Sequence, residues 1–477
     1  MTMQMFEIPR FYGINQSTCQ NAIHAGESPD AENMETRGGY LRVAKGYVRY
    51  VATKHPSPAT LRRLYVRHTG TARTFVAVGK NDVFAIGEGE TAWRTLHTDA
   101  ALATAAEDVD FLCVKIASTE QLLLANRGAQ LEKWDGTSSA TESFGSTTQL
   151  SDIAVNFVEL YYNRLFAAGD PAHPCRLYWS AAPGDDRTIE DWRQNDASPN
   201  VGGGFVEVGT DSDPITGLFA LSNQLVIFKR DSVYRLLGDR PANYRIYPVN
   251  AATRQAQHTA CVRYGDVLYF LTERGLYYYD GQTVHRQPDA DKVTTLLETA
   301  DLSHCIGACC GDRLYFALRR GTGDGNDTIL VYDLMERTYM VRTGFSVIDL
   351  IADGGVLFLL DGNGAICRFE EGEDYDGQKI HAYWNTPLTD LGNKLTNKHL
   401  LELVLRGEGG ILAISATAGG NTTYYERLMP QEAGEVVEMP VTGSGRAFFL
   451  TLKNENGSRF CIDGGLAVLL ELQRRML

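Results

Sequence analysis

The fold is decided by residues 265–281, which read GDVLYFLTERGLYYYDG in this chain of 477 residues. A turn pair, Gly265-Asp266, opens an apolar strand, and a second turn leads into a strand rich in tyrosine. Aromatic and β-branched residues favour strands. The closing Asp280-Gly281 pair supplies the positive φ of a tight β-turn. The stretch therefore predicts a β-hairpin that ends in another tight turn.

The same pattern recurs along the chain, and its period indicates the architecture. The first apolar residues of the copies are Val83, Leu122, Leu165, Leu225, Val267, Leu314 and Val356. The steps between them are about 39, 43, 60, 42, 47 and 42 residues, which is the period of a four-stranded propeller blade. A β-sandwich or several small β domains would also give short strands, but without the longer period. We therefore predict an all-β fold with a β-propeller of six to eight blades, and seven is the best estimate.

Three regions are expected: an extended N-terminal arm at 1–39, the propeller at 40–377 and a C-terminal β-sandwich-like domain at 378–477. A strand within residues 40–51 is the candidate that closes the propeller. After residue 377 the spacing shortens to that of an antiparallel sandwich. Its seven strand-like segments are 379–386, 399–406, 411–417, 422–427, 436–441, 446–453 and 465–472. The end of the last segment, residues 470–475, could instead form a short helix.

Composition limits the kinds of partner. The formal net charge is −14, and 44% of residues are hydrophobic, which is enough for a large core. A chain this acidic does not hold nucleic acid by neutralising phosphates over its whole surface. No apolar run reaches the length of a membrane span or of a signal-peptide core, so we expect neither membrane insertion nor export by a cleaved signal.

The sequence offers weak candidates for metal ligands. Nine cysteines occur without a Cys-x-x-Cys pair, and only Cys305, Cys309 and Cys310 cluster, beside His304. Adjacent residues on a strand point to opposite faces, so these are expected to be small buried hydrophobes. Reduced cysteines fit folding in a cytoplasm. The loop at 321–328, GTGDGNDT, has oxygen ligands spaced as calcium prefers, but it bridges two strands and lacks a closing Glu. A hairpin turn is the favoured interpretation, and ion binding stays open.

No catalytic motif is complete, so we predict that the protein is not an enzyme and needs no cofactor. The one approach to a sialidase-like turn, from Ser180 to Trp192, has the wrong spacing. Ser444 lies in a Gly-Ser-Gly turn and not in a nucleophile elbow. Neither a phosphate-binding loop nor a His-Glu-x-x-His zinc motif occurs.

Residues from both ends and the middle of the chain resemble one family. The N-terminal part reads Phe11-Tyr12-Gly13-Ile14-Asn15, then Ser28-Pro29-Asp30, Asn33, Gly39-Tyr40-Leu41-Arg42 and Lys45-Gly46-Tyr47. The middle part is Tyr162-Asn163-Arg164-Leu165-Phe166-Ala167-Ala168-Gly169, Arg176-Leu177-Tyr178-Trp179-Ser180 and Asp191-Trp192, and the third is Trp384-Asn385-Thr386-Pro387 with Lys398. In this order they resemble the propeller-bearing hub or nozzle proteins of short-tailed bacteriophages, sometimes called packaged-DNA stabilisation proteins.

The resemblance implies a structural virion protein of a phage tail, assembled in the host cytoplasm. Such a protein is expected to form a homo-oligomeric ring, of six copies, that contacts the portal or adaptor and other tail proteins. DNA would pass through the conduit without sequence-specific binding, and a negative wall repels phosphates over a Debye length of about 10 Å. The alternative is a tail-fibre or baseplate propeller that binds or cleaves host-surface glycans. That alternative requires two or three exposed Trp or Tyr side chains in one shallow pocket.

Two groups of residues are candidates for contact with a partner. The arm is poor in periodic apolar residues, so its Phe6, Phe11, Tyr12, Ile14 and Ile23 need a surface that covers them, either in the same chain or in a neighbouring copy. The C-terminal sheet could offer an edge, so we expect inter-subunit contacts mainly at residues 1–39 and 378–477. Arg62, Arg63 and Arg67, with His68 and Arg73 nearby, form a basic cluster. This cluster could contact phosphate, remain solvated or meet an acidic partner.

Overall fold

The computed structural model describes residues 2–20, 22–80, 82–98, 109–116, 118–126, 130–144, 154–184, 187–193, 200–249, 258–432 and 434–473. Within these ranges the chain is nearly all β, and its sheets are antiparallel. The predicted all-β fold, a β-propeller with an N-terminal arm and a C-terminal β-sandwich, is confirmed.

The N-terminal segment contributes one strand or more to each of three sheets. Its strands are β1 (Thr2–Ile8), β2 (Ala31–Glu32), β3 (Met34–Glu35), β4 (Leu41–Val43) and β5 (Tyr47–Arg49). Short 3-10 turns follow at Arg37–Gly39 and Pro58–Thr60.

Five four-stranded sheets come from consecutive stretches of chain and form blades 1 to 5. Blades 1 and 2 comprise β6 (Leu61–Thr69), β7 (Ala72–Gly79), β8 (Asp82–Gly87) and β9 (Arg94–Thr98), and then β10 (Val109–Ile116), β11 (Thr119–Asn126), β12 (Glu132–Trp134) and β13 (Glu142–Ser143). Blades 3 and 4 comprise β14 (Phe157–Tyr161), β15 (Arg164–Ala168), β16 (Arg176–Trp179) and β17 (Gly204–Glu207), and then β18 (Ile215–Leu221), β19 (Gln224–Lys229), β20 (Val233–Leu237) and β21 (Arg245–Val249). Blade 5 comprises β22 (Cys261–Tyr264), β23 (Val267–Thr272), β24 (Gly275–Tyr279) and β25 (Val284–Arg286). Further 3-10 turns lie at Pro241–Asn243, His258–Ala260 and Ala290–Val293, and the one α-helix of the described residues, α1, is Thr294–Glu298. None of the helices in the described part of the chain is long and apolar enough to cross a membrane.

Blades 6 and 7 share one seven-stranded sheet. It contains β26 (Asp301–Cys310), β27 (Arg313–Arg319), β28 (Asn326–Asp333), β29 (Thr338–Asp353), β30 (Val356–Asp361), β31 (Ile366–Phe369) and β5. The first part of β29 pairs with β28 and its last part with β30, so one strand is the outer strand of blade 6 and the inner strand of blade 7. β5 pairs with β31 through Tyr47↔Phe369 and Arg49↔Cys367, and it lies within the stretch 40–51 predicted to close the propeller.

Packing between neighbouring blades closes the circle. Separate apolar clusters join blade 1 to 2, 2 to 3, 3 to 4, 4 to 5, and 7 back to 1. Blades 5 to 7 share the largest cluster with the C-terminal domain. Blade faces pack on both sides because strands within the blades carry buried apolar residues on both faces, as in β19, where all six residues are buried and 225–228 are apolar.

The sequence repeat marks the second strand of six blades, but its first copy is out of phase. Val83 lies on β8, the third strand of blade 1, and the second strand is β7. The β6–β7 turn passes through Gly70 at φ +63°, with threonine on both sides and no Asn or Asp beside it. The turn signal used to detect the repeat is therefore absent from this hairpin.

The C-terminal domain is a sandwich of two sheets. Its own strands are β32 (Tyr383–Asn385), β33 (Asn397–Gly409), β34 (Ile411–Ala418), β35 (Asn421–Leu428), β36 (Val436–Gly445), β37 (Phe448–Asn454) and β38 (Phe460–Gln473). One sheet has the order β2-β32-β37-β34-β35 and the other β3-β4-β38-β33-β36, with β1 also on β38. All seven predicted segments contain strands. The helix considered for residues 470–475 is wrong as far as Gln473, and residues 474 and 475 lie outside the described residues.

Candidate functional site

The arm passes between the propeller and the C-terminal domain and is covered by both. Phe11 and Ile14 are buried, with 1% and 2% of their surface exposed. The Phe11 ring meets the Trp384 ring edge-on at 5.6 Å, and the Ile14 N–H donates to the Tyr339 carbonyl at 2.9 Å. Tyr12 is partly exposed and lies edge-on to His24. Phe11 and Ile14 are therefore covered within their own chain.

Asn33 ties three parts of the molecule together. Its amide donates to the His381 carbonyl at 2.7 Å and its Oδ1 accepts from the Thr343 N–H at 2.9 Å and the Tyr375 hydroxyl at 3.0 Å. The backbone is left-handed here, at φ +56°, which asparagine adopts more readily than most residues. The arm, β29 and the segment leading into the C-terminal domain are thus held by one side chain.

A buried ion network fixes the next residues of the arm. Glu35 accepts from Arg313 at 2.6 Å and from Arg342 at 2.8 Å, and Arg342 also donates to the Met34 carbonyl at 2.8 Å. Arg342 is fully buried and Glu35 is 4% exposed. Burial alone would raise the pKa of Glu35, but the two guanidinium groups outweigh it and hold that pKa below its usual value. Removal of one partner from such a pair leaves an uncompensated buried charge.

The contacts of Phe11 with Trp384, of Asn33 with Thr343, Tyr375 and His381, and of Glu35 with Arg342 are together called the arm joint below. Several residues that carry the family resemblance lie at or beside it. A Cβ at Gly13, where φ is +81°, would stand 2.4 Å from the Tyr339 carbonyl oxygen. Ser28 Oγ donates to the Asn385 carbonyl at 2.7 Å. These motif residues therefore have structural reasons for their identity.

The second resemblance segment braces blade 3. Arg164 is 2% exposed and donates to the carbonyls of Ser180, Asn200 and Gly202. Ser180 is fully buried, and its Oγ accepts from the Leu165 N–H at 3.0 Å. The serine considered as part of a sialidase-like turn is thus a buried hydrogen-bonding group.

The basic cluster expected from the sequence is divided among different partners. Arg67 is 3% exposed, donates to the carbonyls of Glu120 and Asp135, and packs over Trp134. Arg63 pairs with Asp349 at 2.8 Å. Arg62 is partly exposed and donates to the carbonyls of residues 59 and 61. Contact of these arginines with a partner stays a prediction. Among the described residues Arg62 and Arg67 pair with no carboxylate, and of these two Arg62 is the one that is partly exposed.

Carboxylates link successive blades around the propeller axis. Asp349 of blade 7 accepts the Leu64 N–H of blade 1 at 2.6 Å. Asp110 of blade 2 accepts the Val158 N–H of blade 3 at 2.9 Å, and Glu159 of blade 3 accepts the Ala220 N–H of blade 4 at 3.1 Å. These three acidic side chains therefore bind the backbone of the next inner strand.

A contact across the axis bridges the channel. His258, just before blade 5, lies with Nε2 3.2 Å from a carboxylate oxygen of Asp110 in blade 2, and its ring stacks on Phe219 at 4.8 Å. Burial, with a smaller contribution from Asp110, raises the pKa of Glu159 to about 7. A cavity of about 580 Å³ opens at the mouth of this channel, and its lining includes Arg62, Arg63, Thr259, His304, Arg319 and Ser346. The propeller axis is thus not an open conduit.

These axial residues are not among those predicted from the sequence, although the sequence contains a signal for them. Asp110, Glu159 and Asp349 each lie between an aliphatic residue and a second apolar residue, as Val-Asp-Phe, Val-Glu-Leu and Ile-Asp-Leu. A single acid inside an otherwise apolar inner strand indicates a position that must accept a hydrogen bond. The partners of Glu35 had no such signal, because Arg313 and Arg342 lie far away in sequence.

One group among the described residues has the composition of a metal site. The Cys175 sulfur lies 3.1 Å from a Glu207 oxygen and 2.8 Å from an Asp211 oxygen. Burial, reinforced by the two carboxylates, raises the pKa of Cys175 to about 12. The thiol is therefore protonated and donates to the carboxylates, while the buried Lys229 ammonium lies close by on the carbonyls of Val208 and Thr210.

The other ligand candidates serve local structure. Asp327 of the loop 321–328 accepts the N–H groups of Arg320 and Gly321 at 2.9 and 2.7 Å, as a hairpin turn requires. The Cys309 sulfur contacts the carbonyl of Gly311 and the Cys310 sulfur that of Gly355. Their contacts therefore diverge.

The five tryptophans do not form an exposed pocket. Trp134, Trp192 and Trp384 are 1–3% exposed, and Trp93 and Trp179 are partly buried. Trp179 and Trp192 belong to blade 3 but pack in different apolar clusters, and the other three lie in blade 1, blade 2 and the C-terminal domain. Their large rings therefore act in core packing.

Comparison with known proteins finds solved structures of low sequence identity that are similar to this chain. No family model and no curated protein matches the chain. Among solved structures, BamB from Moraxella catarrhalis is 10% identical with a TM-score of 0.38, covering 77% of this chain and 98% of that one. BBS1N in complex with ARL6DN is 11% identical (TM-score 0.39; 69% and 98% covered), and YCF48 bound to D1 peptide is 11% identical (TM-score 0.40; 68% and 97% covered). These are β-propeller proteins.

Proposed function

We propose that this chain is a structural subunit of a bacteriophage tail, a ring-forming nozzle or hub through which DNA leaves and which helps to retain it beforehand. The observation that carries the proposal is the position of the resemblance residues. Phe11, Asn33 and Trp384, from separate parts of the sequence, meet at the arm joint. Residues with this role are suited to fix two domains rigidly against each other.

The charge and the bridged axis support a ring of several copies. With His258 and Asp110 in contact across the channel, DNA could not pass through a single propeller. A conduit would therefore lie between copies, and a net charge of −14 per chain would keep phosphates from adhering to its wall. We expect six copies, which contact the portal or adaptor and other tail proteins in the virion.

The alternative, a tail-fibre or baseplate propeller that binds or cleaves host-surface glycans, has less support. It needs adjacent exposed aromatic rings, and the tryptophans of this chain lie in the core. No described feature favours it specifically.

Native mass spectrometry and negative-stain microscopy of the purified full-length protein test the proposal. We expect a ring of six copies. It should not change the gel mobility of a labelled duplex DNA at physiological salt, and it should release no saccharide from bacterial envelope material. Another number of copies would refute the six-fold ring alone. A monomer that releases saccharides, and loses this activity when one acidic residue is changed, would overturn the proposal.

A further inference from the structure

We propose that β1 is exchanged between copies, so that in the ring the strand Thr2–Ile8 of one copy pairs with β38 of the next copy. This inference rests on the ring of the proposed function and deepens it by naming the strand that joins neighbours. The partner is a second copy of this chain.

β1 is an extra strand that pairs with the edge of β38 in a sheet that is continuous without it. The two strands pair in register from Thr2↔Leu472 to Ile8↔Leu466. The rest of the sheet, β3-β4-β38-β33-β36, is continuous without β1. Among the described residues, β1 has no other strand partner, so its binding edge would exist in every copy.

The first half of β1 has little cover in its own chain. Residues 2–5 are exposed, and Met3 and Met5 keep 60% and 56% of their surface. Only the end of the strand is inserted, where Ile8 is fully buried and the Phe6 ring lies edge-on to Phe448 at 5.8 Å. The exposed residues Thr2–Met5 include no charged residue and no proline, which are the usual protections of an edge strand against pairing with another chain.

A short exposed hinge separates β1 from the arm joint. Pro9 and Arg10 are exposed, whereas Ile8 and Phe11 on either side are buried. Proline fixes its own φ and keeps the preceding residue extended, so this hinge is stiff and resists turning back. Short hinges under such constraint favour exchange of the terminal element.

The β1 site on β38 fits the identical strand from another copy without new contacts. At Gly465, where φ is +73°, a Cβ would stand 2.3 Å from the Ile8 carbonyl oxygen, so β38 has glycine where β1 approaches most closely. A neighbour's strand would make the same register, the same Phe6–Phe448 contact and the same Gly465 approach. When each copy gives its strand to one neighbour and receives a strand from the other neighbour, the contact is head-to-tail, as the proposed ring requires.

A pair of cysteines on the β1–β38 ladder tests the exchange in the full-length protein. Met5 and Leu469 lie opposite each other, so the double variant Met5→Cys/Leu469→Cys can be oxidised and separated on a denaturing, non-reducing gel. We expect a shift from monomer to a ladder of covalent multimers. Oxidised product that runs only as monomer would overturn the exchange, whatever the shape of the assembly.

A control pair shows how a cross-link within one copy runs on the same gel. Ser415 and Tyr424 face each other within the β34–β35 hairpin, so Ser415→Cys/Tyr424→Cys must cross-link within one copy and run as monomer. If the first pair impairs folding, Met3→Cys/Glu471→Cys, two residues further along the same ladder, distinguishes exchange from pairing within one copy in the same way.

Co-assembly separates this inference from the proposed function. Copies with Met5→Cys alone and longer, tagged copies with Leu469→Cys alone are mixed before assembly. A covalent band of the summed mass supports exchange. A six-copy ring without that band overturns exchange and leaves the proposed nozzle standing. Multimers in an assembly that is not a ring support exchange and count against the nozzle.

Discussion

The two halves of the arm differ in how firmly the chain holds them. Residues 11–36 carry buried side chains, a left-handed asparagine and a carboxylate between two arginines. β1 has a single strand partner among the described residues, and five of its seven residues are exposed. The arm therefore consists of two parts with different structural roles. The inner half belongs permanently to its own chain, and the outer half is a strand that another copy can receive.

The largest effect is expected from breaking the ion network of the inner half. Glu35→Ala removes the carboxylate that bonds to both guanidinium groups, which leaves Arg342 with Glu370 at 3.6 Å and Arg313 with Asp333 and Glu370 in a buried site. We expect a loss of about 3–5 kcal/mol in the free energy of unfolding. Urea unfolding followed by tryptophan fluorescence, with Trp384 in the same joint, measures it.

The matched control is an exposed acid beside the same network. Arg37 and Asp312 are 3.5 Å apart, and each side chain is 42% exposed. Asp312→Ala should cost less than about 1 kcal/mol. Similar losses for the two variants would show that the Glu35 network is not energetically distinct from a surface pair.

Two phenylalanines compare the halves directly. Phe11 and Phe6 both meet an aromatic ring edge-on, at 5.6 and 5.8 Å, but Phe11 is buried and Phe6 is partly exposed. Phe11→Ala should cost about 3 kcal/mol, and Phe6→Ala less than half as much. An equal or larger loss at Phe6, measured by the same urea unfolding, would contradict the distinction.

Lowering the pH should also reduce the contribution of the inner half to the free energy of unfolding, by less than the substitutions above. The pKa of Glu35 is lowered from its ordinary value of 4.5, so its contribution is present above that value and lost as pH falls through the lowered pKa. The gap in unfolding free energy between the wild-type protein and Glu35→Gln should therefore be widest near pH 7 and narrow progressively below pH 4.5. A gap that stays constant between pH 7 and pH 3 would count against the assigned charge state.

Turn chemistry made much of the fold predictable, because its signals lie in adjacent residues. Gly136 and Gly281 adopt φ +86° and +93° after Asp135 and Asp280. Each aspartate accepts the N–H groups two and three residues later. The turn pairs that precede an apolar strand are local signals of the same kind, and the spacing of those strands makes the blade period visible in the sequence.

Long-range polar contacts could not be predicted in the same way. Arg67 and Glu35 resemble surface residues in the sequence, and only the fold brings them to the carbonyl of Asp135 and to Arg342. A buried charge depends on partners whose positions are set by blade packing. The arm was therefore predicted as a poorly periodic segment, while its buried joint became visible only in three dimensions.

The closing strand has a consequence for the order in which the protein can be completed. β5 is synthesised early, but its partner β31 leaves the ribosome more than three hundred residues later. Because the two ends of the propeller meet in blade 7, the last blade stays one strand short until nearly four-fifths of the chain is made. Contacts between such distant segments form slowly, so a nascent chain stalled before Ile366 would carry an unsealed edge. The polypeptide thus becomes a finished subunit late, after most of its blades already exist.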